Sequence, residues 1–162
     1  MKDLFFNNLE IARKEDQLTG EIDLASLERL SAMVVNEGDK PEKIHYQLSG
    51  SQNKFHLPSL HLSIDTVLTV KCQRCLESMS LALSLRYNYL LSESEPEEFD
   101  GDQEVDWLEI SPKMNLNNLI EDELLIAIPF APVHSYDCRQ EGFEAGEKYN
   151  PFEVLKKLKN KS

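Results

Sequence analysis

One long pair of alternating segments limits what this chain can fold into. Leu62, Ile64, Thr66, Leu68, Val70 and Cys72 recur at every second position, and Met79, Leu81, Leu83, Leu85, Tyr87 and Tyr89 do the same after a short interruption. Alternation at period two sends successive side chains to opposite faces, so both segments read as strands with one face on a core and one face wet. Joined by so short a link they pair antiparallel, because parallel neighbours need a long crossover. The spacing predicts a central hairpin over 59–73 and 78–91, turning through Cys72-Gln73-Arg74-Cys75-Leu76-Glu77, a CxxC motif.

Around this hairpin the sequence predicts three helices and two shorter strands. Leu24, Leu27, Leu30 and Met33-Val34 fall at helical steps, with Asp23 as N-cap and Asn36-Glu37-Gly38-Asp39-Lys40-Pro41 as the stop, giving a helix near 24–35. Residues 1–20 show little periodicity. Ile44, Tyr46 and Leu48 alternate with His45 and Gln47, so 43–49 is a strand and Gly50-Ser51-Gln52-Asn53 its turn. Val105, Trp107 and Ile110 suggest a short returning strand. Asn115 caps a helix over 115–128 that Pro129 terminates, with Leu116, Leu119, Ile120, Glu123, Leu124 and Ala127 on one face. Glu123 on that face either meets a partner in the core or reaches water at its edge. Asn150-Pro151 opens a last helix near 151–160, whose lysines crowd its negative end. The predicted fold class is α+β: an antiparallel sheet centred on the hairpin, with barrel-like closure as one way to protect its edges.

At 162 residues the chain fits a single domain over 1–162, without an internal repeat. No apolar run approaches the length that spans a bilayer, and the N-terminus lacks a small-residue cleavage site, so a cytoplasmic protein is expected and a membrane partner is not. Three cysteines suit a reducing compartment. The net charge is −12, from 17 basic and 29 acidic side chains. Spread evenly, it repels a phosphate backbone and favours basic partners. The acid-rich run from Ser92 to Asp106 is either a solvated, mobile loop or a docking surface for such partners. The basic exceptions, Lys71 and Arg74 beside the CxxC and Lys156, Lys157 and Lys159 near the C-terminus, are the candidate RNA contacts. Glu121, Asp122 and Glu123 are candidate contacts for a basic protein.

Cys72 and Cys75 are half of a candidate metal site, and His134 and Cys138 are its other half. Zinc prefers four sulfur or nitrogen ligands in a tetrahedron, commonly supplied as two short-spaced pairs. The alternative is a set of buried or idle thiols at a hairpin tip. Redox exchange needs a thiolate stabilised at a helix N-terminus, and strand patterns flank this CxxC on both sides. The sequence contains no nucleophile elbow or phosphate-binding glycine loop, and His45, His56, His61 and His134 share no spacing. No enzyme and no small-molecule substrate are expected.

Three blocks carry a resemblance to a known family. Val70-Lys71-Cys72-Gln73-Arg74-Cys75, then Leu119-Ile120-Glu121-Asp122-Glu123-Leu124-Leu125-Ile126-Ala127-Ile128-Pro129 with Pro132-Val133-His134 and Cys138, then Asn150-Pro151-Phe152-Glu153-Val154-Leu155 occur in the order found in the YceD family. The chain resembles that family from about residue 60 to its end. The resemblance implies a bacterial cytoplasmic protein needed for accumulation of large-subunit (23S) ribosomal RNA, with no established catalytic residues. Some relatives carry a second CxxC-like pair near Cys138; this chain has only Cys138 there, leaving His134 as the substitute. The leading expectation is a non-enzymatic ribosome-biogenesis factor that meets large-subunit rRNA directly or through a basic ribosomal or assembly protein. The competing expectations are a small zinc-binding or redox-responsive protein built on the CxxC, and a nuclease that matures rRNA.

Overall fold

Leu60, Leu62, Ile64, Thr66, Leu68 and Val70, every second residue of one strand, are all buried, and they form the floor of the core. The computed structural model describes residues 3–35, 42–53, 56–96 and 105–138. In chain order the elements are β1 (Phe5–Phe6), α1 (Asn8–Lys14), β2 (Gln17–Asp23), a 3-10 turn at Leu24–Ser26, α2 (Glu28–Ser31), β3 (Lys43–Gln52), β4 (Pro58–Lys71), β5 (Ser78–Ser92), β6 (Val105–Glu109), β7 (Met114–Asn115) and α3 (Leu116–Ala127). The main sheet has five strands in the order β2-β3-β4-β5-β6, and β1 pairs with β7 as a separate two-stranded sheet. β2 to β5 run antiparallel to their neighbours, while β6 lies parallel to β5.

The predicted hairpin is β4 and β5, in register from Ser59 opposite Leu90 to Lys71 opposite Ser78. Its apolar positions face the core with Ile44 and Leu48 of β3, Ile22 of β2, and Leu116, Ile120 and Leu124 of α3. Burying a Leu or Ile side chain of this kind contributes about 1.5–3 kcal/mol. The opposite face is a polar surface that includes His45, His61, Asp65, Ser84, Arg86 and Asn88. Among the described residues no helix is long and apolar enough to cross a membrane.

The sheet does not close into a barrel. β2 and β6 are its edges, and both are short and acidic, with Glu21 and Asp23 on one and Asp106 and Glu109 on the other. Short charged strands discourage edge pairing without closure.

The predicted helix 24–35 is instead the 3-10 turn followed by the four residues of α2. Glu21 and Asp23 belong to β2, and Asp23 makes no side-chain cap bond. Leu24, Leu27, Leu30 and Val34 are nonetheless all buried, so the spacing identified the inward face but not the backbone type. Gly50 is a second departure, because β3 runs through it to Gln52. A Cβ on Gly50 would lie 2.0 Å from the Ile11 carbonyl oxygen, so glycine is what lets α1 cross the sheet there. The predicted helix 151–160, with Lys156, Lys157 and Lys159, lies outside the described residues, as does most of the acid-rich run at 92–106.

Candidate metal centre

Between β4 and β5 the chain reverses through residues 72–77. The Cys72 amide donates to the Glu77 carbonyl (2.9 Å), and the Leu76 amide donates to the Cys72 carbonyl (2.9 Å). Leu76 takes a left-handed backbone conformation (φ 65) that directs the chain into β5. The turn also carries a second segment: the Gln73 amide donates to the Pro132 carbonyl at 2.8 Å, docking the chain that leaves α3 against the hairpin tip. Pro129 follows α3, so the helix cannot continue, and the chain runs to Cys138 without regular secondary structure, bending at 130–131 and 135–136.

This docking brings the two predicted ligand pairs together. Cys72 Sγ lies 3.6 Å from Cys138 Sγ, and Cys75 Sγ lies 3.4 Å from His134 Nδ1. The four candidate ligand atoms all fall within 4.8 Å of one another, so these residues could hold a metal ion. Cys72 and Cys75 are buried, while His134 and Cys138 are half-buried. The His134 ring stacks on Tyr136 with centroids 4.7 Å apart, which fixes its plane.

The electrostatics of the cluster favour thiolates at Cys72 and Cys138. Burial alone would raise the Cys72 thiol, but amide donors at Cys75 and Arg74, aided by His134 and Cys138, bring it down to about 5. Burial opposes ionisation of Cys138 as well, and the Arg74 and His134 donors outweigh it to lower that pKa. At Cys75 the Glu77 amide favours the thiolate, yet burial and the two neighbouring sulfurs push the pKa up. The Cys138 sulfur, followed by Cys72, raises His134 above the usual imidazole range against the effect of burial.

Arg74, predicted as an RNA contact, is turned onto this cluster. Its Nε donates to Cys138 Sγ at 3.2 Å, one terminal nitrogen donates to the His134 carbonyl at 3.0 Å, and the same nitrogen bonds the Tyr136 carbonyl. Lys71 is exposed at the end of β4.

The acidic trio of α3 is also engaged within the chain. Glu121 is buried, and its Oε1 accepts the amides of Arg29 (2.8 Å) and Leu30 (3.0 Å). Its Oε2 accepts the Arg29 side chain at 2.8 and 2.9 Å. Leu27, the N-cap of α2, has no side-chain acceptor to offer, so α3 supplies the cap across the interface. Asp122 pairs with Arg29 at 2.7 Å and remains half-exposed, and Glu123 accepts the Tyr89 hydroxyl at 2.6 Å. Sequence reasoning placed Glu123 on the apolar face and missed the cap. Asn117 and Glu121 are both buried, so the inward stripe of α3 is rotated toward them. The available signal was α2 itself, a helix start without a capping side chain.

The fold is α+β, and the hairpin tip with the segment docked on it brings three cysteines and a histidine together. The chain belongs to the YceD family: the family described as "Large ribosomal RNA subunit accumulation protein YceD" matches residues 60–159. It is 28% identical over 157 residues, covering 83% of each chain, to the large ribosomal RNA subunit accumulation protein YceD of Haemophilus influenzae. No solved structure matches the chain.

Proposed function

We propose that this protein is a non-enzymatic, cytoplasmic ribosome-biogenesis factor that supports the synthesis, processing or stability of 23S rRNA and assembly of the large subunit. The carrying observation is the family match, which runs from β4 through the hairpin tip and α3 to residue 159. With a net charge of −12, the partner this chain fits best is a basic ribosomal or assembly protein. Glu121 is committed to capping α2, so on α3 the carboxylate most open to a partner is Asp122, and the acid-rich sequence of 92–106 supplies further negative charge. Arg74 faces the cysteine cluster, so direct phosphate contact would fall to Lys71 and the C-terminal lysines.

Deleting the gene tests this reading. Large-subunit rRNA is expected to fall relative to small-subunit rRNA, and the wild-type chain should restore it. An unchanged ratio would overturn the assignment. Crosslinking in cells, with both RNA and protein partners identified, then separates the two routes. A basic protein as the main crosslinked species is expected. Tight binding of purified protein to large-subunit rRNA fragments at physiological salt, without a protein partner, would replace that route with direct RNA contact.

A further inference from the structure

We propose that Cys72, Cys75, His134 and Cys138 form a closed, structural zinc site that clamps the segment leaving α3 to the tip of the β4–β5 hairpin. Such a site is independent of the ribosomal role. A tetrahedral zinc with Zn–S of about 2.3 Å and Zn–N of about 2.0–2.1 Å needs sulfurs about 3.8 Å apart and each sulfur about 3.6 Å from the nitrogen. The Cys72–Cys138 and Cys75–His134 separations, 3.6 and 3.4 Å, lie close to those edges. All six edges stay within 4.8 Å, so a small inward adjustment completes the tetrahedron without moving the backbone far.

The surroundings fit zinc better than an idle thiol cluster. Amides of Arg74 and Cys75 aim at Cys72 Sγ and that of Glu77 at Cys75 Sγ, giving each hairpin sulfur the N–H donors that a bound thiolate uses. Three thiolates and a neutral imidazole around Zn²⁺ leave one negative charge. The Arg74 guanidinium, 3.2 Å from Cys138 Sγ, offsets it. His134 binds through Nδ1, the nitrogen that faces Cys75, with its ring held by Tyr136. Four protein ligands leave no open position for water or substrate, so the ion's role is to hold the fold and not to catalyse. It crosslinks two parts of the chain distant in sequence, where Gln73 and Pro132 otherwise supply the backbone bond.

The test uses the full-length chain, purified without chelator under reducing conditions, with metal measured by elemental analysis. About one zinc per chain is expected, falling to background in Cys72→Ser and Cys138→Ser and retained in His134→Cys, which restores a fourth good ligand. If the serine variants fail to fold, the wild-type chain still decides. Cobalt substituted for zinc should give intense thiolate-to-metal absorption and tetrahedral visible bands. The three thiols should resist a thiol reagent until a chelator is added. Absence of stoichiometric metal after reconstitution with zinc would overturn the proposal. So would unchanged metal content in folded Cys72→Ser, or a metal-free Cys72–Cys138 disulfide in rapidly quenched cells.

Discussion

The two ends of the β4–β5 hairpin are held by different physics. Toward its open end, Leu60, Leu62 and Ile64 lie in a continuous apolar cluster with residues of β3 and α3. Hydrophobic burial there is non-directional and roughly proportional to area, so the loss of any one side chain is graded. At the tip the core-facing residues of β5, Met79, Leu81 and Leu83, are only partly buried. β4 still buries Leu68 and Val70 there, but beyond them the turn 72–77 and the segment docked on it are held by the four proposed ligands and a few backbone bonds, and a coordination site loses its grip when one ligand goes. The same hairpin thus combines a redundant end with a turn that has little redundancy.

Metal removal probes this contrast most strongly. Chelation of the full-length protein should bring the amides of 72–77 and 130–138 to near-unprotected hydrogen exchange, while those of β3 and the distal half of β4 keep their protection. Exchange measured by mass spectrometry with and without chelator checks this. Loss of protection across the whole sheet would show that the two ends are one cooperative unit, and the contrast would fail.

At the other end the expected loss is smaller but global. Ile64 is fully buried, and Ile64→Ala should cost about 2–5 kcal/mol of unfolding free energy in a denaturant titration. Its zinc content and its thiol reactivity in the native state should match the wild type. A loss of metal in that variant would couple the ends through the strand.

Between the extremes stands Glu121, which joins α3 to α2 away from the tip. Glu121→Ala strands two α2 amides and leaves the Arg29 side chain only Asp122, and should cost about 1–3 kcal/mol. Glu121→Gln keeps a carbonyl acceptor for the amides and should lose less. Equal losses in the two variants would mean that the ion pair with Arg29, not the cap, is what stabilises α2.

How much of this was legible in the sequence differs between regions for physical reasons. β4, β5 and α3 announce themselves because large apolar residues at one period fill most of their inward positions, and Asn115 and Pro129 mark the ends of α3, although its buried Asn117 and Glu121 fall outside that apolar pattern. β2 was hidden because its alternation, Leu18-Gly20-Ile22, has a gap in the middle. That gap is filled from the neighbouring strand, since a Cβ on Gly20 would meet the Tyr46 hydroxyl oxygen at 2.7 Å. α1 has only seven residues, too few to show a helical stripe. The two candidate ligand pairs were visible as spacings, but their convergence depends on Pro132 docking against Gln73, a long-range contact that no local pattern encodes. Arg74 looked like a free cation because sequence gives exposure no direction. Its target, the Cys138 sulfur, becomes a neighbour only after the fold forms.

The smallest expected effect lies at the edge of the sheet, where Lys43 of β3 meets Glu21 of β2 at 2.7 Å with both side chains about half-exposed. The hydrogen bond and charge of Lys43 lower the Glu21 pKa, and Glu21 in turn raises that of Lys43. A carboxylate depressed in the folded state adds stability above its unfolded pKa and loses it as pH falls through the folded value. A raised ammonium adds stability below its unfolded pKa and loses it as pH climbs through the folded value. The pair therefore contributes in the window between the carboxylate and lysine ranges, and salt screens it because both groups face water. Lys43→Ala should lower the midpoint of thermal unfolding only slightly at neutral pH. The difference from wild type should vanish in acid below the folded Glu21 pKa, shrink with added salt, and be indifferent to chelator. A difference that persists in acid would assign the effect to the packing of the lysine stem along the β2–β3 edge. One that responds to chelator would extend the influence of the tip across the sheet to its far strand.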